Sequence, residues 1–241
     1  YQMFGVNAEL LIDHAWGYEP CTIAQIRAYK PQSSSLGCGQ VLPCPYTADK
    51  ARIVVQEMID GISLELVEKR LVTDQLVLTV GYDIENLTRP EIRKVYKGPV
   101  TTDRYGRRVP KHAHGTWNLP RATSSSSELL EAMAALYDKI VNPALLIRRM
   151  SLSACHVVNE KMAKEREQKE TFEQLDLFTD YAKREAKEKE EQKKRERERR
   201  MQEALLTIKK KYGKNAVLRG MNFEEGATAK ERNGQIGGHQ A

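Results

Sequence analysis

At 241 residues, 40% hydrophobic and 30% charged with mean hydropathy −0.60, the chain can build one medium domain but not a core throughout its length. Its 39 Lys+Arg against 33 Asp+Glu leave a formal net charge of +6 and a pI near 9.0, which favours an anionic partner without naming one. Cys21, Cys38, Cys44 and Cys155 lack metal-ligand spacing and a histidine cluster, so neither a zinc site nor a disulfide framework is expected. No apolar run approaches the roughly 18 residues of a membrane span, so no membrane partner and a cytoplasmic setting are expected. The first residue is Tyr1 rather than Met, as in a fragment of a longer chain.

Residues 1–17 place Leu10, Leu11, Ala15 and Trp16 at the spacing of a short helical unit that stops at Gly17. Residues 18–32 read as a polar connector ending at the breaker Lys30-Pro31. A strand is expected over 33–42, closed by Pro43-Cys44-Pro45. A helix over 47–70 follows, with Thr47 as N-cap and Ala51, Val55, Met58, Ile62 and Leu66 on one face. Alternation places Leu76, Leu78, Val80 and Tyr82 on one side of a second strand, 72–82. The stretch 89–121 is rich in Lys and Arg, with only Glu91 and Asp103 acidic, and reads as a long basic connection or an unstructured insertion. Within it a third strand, 112–119, sets Trp117 and Leu119 opposite His114, Thr116 and Asn118. Ser124–Ser127 then caps a helix carrying Leu129, Met133, Leu136 or Tyr137, and Ile140, which ends at Asn142-Pro143.

The closing strand lies within 144–158. Met150, Leu152 and Ala154 share one parity and Arg149, Ser151 and Ser153 the other. Arg148 has the parity of the apolar set, so either the strand begins after it or a bulge turns it outward. A serine-lined face with two guanidiniums at its edge suits phosphate oxygens, which accept from both. The plain alternative is an edge strand with solvated arginines. Strand, helix, strand, strand, helix, strand makes an α+β fold, a four-stranded antiparallel sheet with two helices on one face.

Six ordered blocks carry a resemblance. FGVNAELLIDHAWG, the connector ending AYKP, SLGCGQVLPCPYTADKAR, VTDQLVLTVGYD, AHGTWNLPRATSS and LLIRRMSLSA together resemble the thumb end and little-finger domain of Y-family translesion DNA polymerases, of the UmuC/ImpB/DinB-like Gram-positive type. The resemblance implies an end of thumb and linker over 1–32 and a little finger over 33–159 that holds primer-template DNA by its phosphates. It assigns DNA contact to Arg148 and Arg149, to Thr116 and Asn118, to Ser33, Ser34 and Ser35, and to Arg107 and Arg108 of the basic connection. Backbone contacts of this kind suit an enzyme that must accept any sequence and damaged templates. The family's palm carries the carboxylates that hold two Mg2+ ions for nucleotidyl transfer. No matching motif occurs in these residues, so the chain as written is expected to bind DNA, without catalytic residues or a cofactor of its own.

Residues 160–212 turn to Lys, Arg, Glu and Gln and read as a charged, mostly helical tail with i,i+4 acid-to-base pairs such as Glu191 with Arg195. Inside it Gln174-Leu175-Asp176-Leu177-Phe178 resembles the pentapeptide with which bacterial polymerases dock on the sliding clamp. That likeness implies Gln174 at the rim and Leu177 and Phe178 in an apolar pocket. The glycine-rich residues 213–241 read as a disordered end or a peptide that folds on binding. DNA repair and SOS damage tolerance at the nucleoid are the expected setting. Two rivals stand beside this reading: a βαββαβ RNA-binding or regulatory module, which calls for exposed sheet aromatics, and a helical scaffold that joins other proteins.

Overall fold

The computed structural model describes residues 2–29, 34–103, 105–170, 181–236 and 239–240. They belong to two compact units, 1–33 and 34–241. In the first, α1 (Asn7–Ala15) is followed by α2 (Ile23–Ala28). The second helix starts at a reciprocal capping box, in which the Thr22 hydroxyl accepts from the Gln25 N–H and the Gln25 side chain accepts from the Thr22 N–H. The connector expected over 18–32 therefore holds a helix, too short to announce itself by periodicity. Among the described residues of this unit only Ala8 is buried.

The second unit is α+β with an antiparallel sheet. Its elements are β1 (Leu36–Tyr46), α3 (Ala48–Lys69), β2 (Leu71–Tyr82), α4 (Glu85–Thr88), α5 (Pro90–Val95), β3 (Val100–Thr102), β4 (Arg108–Pro110), β5 (Ala113–Thr123), α6 (Ser126–Ile140) and β6 (Ile147–Cys155). After these come β7 (Val158–Asn159), α7 (Glu160–Glu170), α8 (Tyr181–Tyr212) and α9 (Ala229–Arg232). The sheet order is β1-β6-β2-β5, every neighbour antiparallel, with β7 pairing the start of β2.

Register explains the core. Leu76, Leu78 and Val80 of β2 face Ala154, Leu152 and Met150 of β6, and all six are buried. Against this face α3 packs Val55, Met58, Ile62 and Leu66, and α6 packs Leu129, Met133 and Leu136. Burying each such side chain is worth about 1.5–3 kcal/mol. The Tyr137 hydroxyl donates to the Ala48 carbonyl at 2.7 Å and fixes α6 against the start of α3.

Four readings are corrected or settled. First, β1 does not stop at Leu42: it continues through Pro43 and Pro45 to Tyr46, with a register break between Val41 and Tyr46. It is an edge strand, where missing N–H groups cost no ladder bonds. Second, the basic connection is no unstructured insertion, because ahead of its strand it folds into α5 and the hairpin β3–β4. Third, the ambiguity at Arg148 resolves as a bulge: Arg149 pairs with Gly81 while Ile147 pairs with Tyr82, leaving Arg148 as the extra residue. Fourth, the later part of α8, charged as its sequence is, packs against the domain. Gln202, 1% exposed, donates to the Ser126 hydroxyl (2.8 Å) and the Ser124 carbonyl (3.0 Å), and Ser126 meets Ser63 of α3 at 2.7 Å. This satisfied buried polar chain joins α3, α6 and α8. Residues 213–233 also lie against the helical layer rather than forming a disordered end.

Candidate nucleic-acid interface

The side chains that do not face the helices form the candidate site. Following the register from β1 to β5, one row reads Gly39, Ser151, Thr79, His114, the next Gly37, Ser153, Val77, Thr116. Flanking rows bring Val41, Arg149 and Gly81 together, and Cys155, Gln75 and Asn118. At the roughly 4.8 Å strand spacing, four strands give a face about 15 Å wide. None of these paired outward positions carries Asp or Glu, and none carries Phe, Tyr or Trp.

The face is rich in hydrogen-bond donors. Gln75 Nε2 donates to Asn118 Oδ1 at 2.9 Å, and Thr79 Oγ1 lies 2.9 Å from His114 Nδ1. Ser151 and Thr116 are exposed. Arg149 is exposed too, and its side chain lies across Gly81: a Cβ on that glycine would sit 2.6 Å from Arg149 Cγ and 2.7 Å from its Nε. A larger residue at 81 would therefore dislodge the guanidinium. Arg148 projects at the bulge with its Nε 3.8 Å from Asp83 Oδ2, an ion pair too long for a hydrogen bond.

The other assigned residues divide. Thr116 and Asn118 share the outer face with Arg149, as their parity requires. Arg108 is exposed at the start of β4. Arg107 is committed within its own turn, donating from Nε to Asp103 Oδ2 at 2.8 Å and standing 5.1 Å from the Tyr105 ring. Ser34 does not offer its hydroxyl to a ligand, because that group donates to the Val157 carbonyl while the Ser34 carbonyl accepts the Val157 N–H at 3.1 Å. Ser35 is exposed. Ser33 and the pentapeptide Gln174, Leu175, Asp176, Leu177 and Phe178 lie outside the described residues.

Sequence reasoning missed Gln75 and Thr79, although the alternation that put Leu76 and Leu78 inside already put them outside. It also missed the glycines at 37, 39 and 81, which keep the floor of the face low.

Among the described residues no three His, Cys, Asp or Glu side chains are grouped to hold a metal ion. No helix among the described residues is long and apolar enough to cross a membrane. No protein-family model matches the chain, and no curated protein sequence matches it. Among solved structures it is similar to a complex of a beta-clamp processivity factor and the little finger domain of PolIV, with a TM-score of 0.34 and 9% identity over 61% of this chain and 100% of that one.

Proposed function

We propose that this chain is the DNA-gripping carboxy-terminal portion of a Y-family translesion DNA polymerase, holding primer-template phosphates on the outer sheet face and docking on the sliding clamp through residues 174–178. The observation that carries the reading is the chemistry of that face: Arg149, Ser151, Thr116 and Asn118 converge on one surface whose paired positions hold no carboxylate. Such a surface donates to phosphate oxygens and does not repel them. The six ordered sequence blocks add the family, and the clamp motif would raise occupancy on DNA by tethering two weak contacts. An RNA-binding module is disfavoured, because single-stranded bases need stacking platforms and the outer positions carry no Phe, Tyr or Trp.

The test is binding of a labelled primer-template duplex measured by fluorescence anisotropy from low to physiological salt. The expected result is steep salt dependence with little sequence preference. Replacing Arg148 and Arg149 together by Ala is expected to weaken binding to all sequences alike and to lower the salt slope by about 1 for each phosphate that is no longer neutralised. Binding and slope that do not move in the double variant would remove this face from the interface. Failure to bind the clamp on changing Leu177 and Phe178 to Ala checks the second half of the proposal.

A further inference from the structure

On α3, Glu57 is only 3% exposed yet takes no part in the hydrophobic core. Its Oε2 accepts the backbone N–H of Thr228 (2.8 Å) and of Ala229 (3.0 Å), and lies 3.2 Å from the Thr228 hydroxyl. Its Oε1 accepts from Asn222 Nδ2 at 2.8 Å. Every one of these donors comes from the terminal segment. Around this centre the other contacts are polar as well: Arg219 reaches Asp60 at 2.7 Å, Lys50 pairs with Glu225, and Gln40 bonds Thr228 (2.8 Å) and Arg232 (2.6 Å).

The segment is held by these bonds with half-buried Val217, Leu218 and Met221 beside them, and no large apolar side chain of it is fully buried. Of residues 213–233 only Thr228 and Ala229 are buried, and Phe223 is 68% exposed. The sheet and the inward faces of α3 and α6 form their core without any of them. A segment attached through a few polar contacts at one edge opens at a lower free energy than the core beneath it.

We infer that the surface formed by α3 and the Gln40 side chain of β1, centred on Glu57, is a peptide-docking site, and that its occupant is residues 219–232 of this chain, held as a releasable internal ligand. The carboxylate reads a hydroxyl residue followed by a backbone N–H at the start of a helical turn, with an amide side chain six residues earlier. Tethering keeps the local concentration of the segment high, so each bond can be individually weak. The inference does not depend on the polymerase reading, since this face lies on the helical side of the sheet.

Two measurements on the full-length chain test it. In hydrogen–deuterium exchange, Glu57→Ala and Ala229→Pro are each expected to lower protection across 222–233 by at least about tenfold and to leave β2 and β6 unchanged. Glu57→Ala removes the acceptor, and Ala229→Pro removes a donor at a first helical position where proline otherwise fits. Unchanged protection would show that the contact carries no weight. Deprotection extending into β2 and β6 would make the segment part of the core rather than a ligand. In the second measurement a labelled peptide of residues 217–234 is added in excess to the full-length Ala229→Pro protein, whose own segment competes more weakly for the site. Saturable binding that disappears when Glu57→Ala is added supports the proposal. No binding, or equal binding of a scrambled peptide, overturns it.

Discussion

Arg149 and Gly81 show how one residue decides what another can do. The arginine occupies the space that any side chain at 81 would need, with its Cγ 2.6 Å from the position of a Cβ. Gly81→Val is therefore expected to lift the guanidinium off the sheet and mimic Arg149→Ala in DNA binding, lowering the salt slope by about 1. Anisotropy titrations read that change, and an unchanged urea midpoint shows that the fold itself is not weakened. Asp60 presents a different balance. Burial pushes its carboxyl above the ordinary value of 3.8, against the pull of Arg219. The pair stands at 2.7 Å but is not aligned as a hydrogen bond to Asp60 Oδ1. A carboxyl with a raised folded-state pKa contributes stability below its unfolded value and loses it as pH rises through the folded value. Asp60→Asn lacks that loss, so its stability relative to the wild type is expected to improve from about pH 3 towards pH 7. Urea unfolding at both pH values checks the sign, and a relative decline with pH would mean that the Arg219 pair dominates.

At the scale of elements, α6 packs directly onto Gly115 of β5. A Cβ there would stand 2.7 Å from Ile140 Cγ2 and 3.0 Å from Leu136 Cδ1. Gly115→Val is expected to push α6 outward and cost about 1–3 kcal/mol, read as a lower urea midpoint. The main strands were legible because each has one apolar and one polar face, so Leu76, Leu78 and Val80 alternate with Gln75, Val77 and Thr79. The same alternation located most of the candidate face. Arg148 left two readings open, because a bulge changes parity without leaving a local composition signal. The extension of β1 was hidden by Pro43 and Pro45, which mark a stop everywhere except at a sheet edge. The fold of 89–110 was illegible since its helix, Pro90–Val95, is short and its hairpin strands are three residues each. The docking of Gln202 and Thr228 escaped notice for another reason: a buried polar contact has no periodicity, and the partners Ser126 and Glu57 stand 76 and 171 residues away.

For the whole molecule, the consequence is a sheet with different work on its two sides. The outer face offers Arg149, Ser151 and Thr116, while the helical side buries the core and, on α3, the Glu57 contact with the terminal segment. The two sites lie on opposite faces of the sheet, the terminal segment bonding Gln40 of β1 from the helical side, and they share no hydrogen-bond partner among the described residues. Substitutions at independent sites add within about 0.5 kcal/mol, whereas coupled sites depart from additivity. Glu57→Ala is therefore expected to leave primer-template affinity and its salt slope as in the wild type, and Arg149→Ala to leave the protection of 222–233 as in the wild type. The double variant is expected to show the sum. Anisotropy titrations on the four proteins close the thermodynamic cycle. A coupling above about 1 kcal/mol would mean that release of the terminal segment reshapes the outer face through the sheet, so that a ligand on α3 controls the grip on the anionic partner.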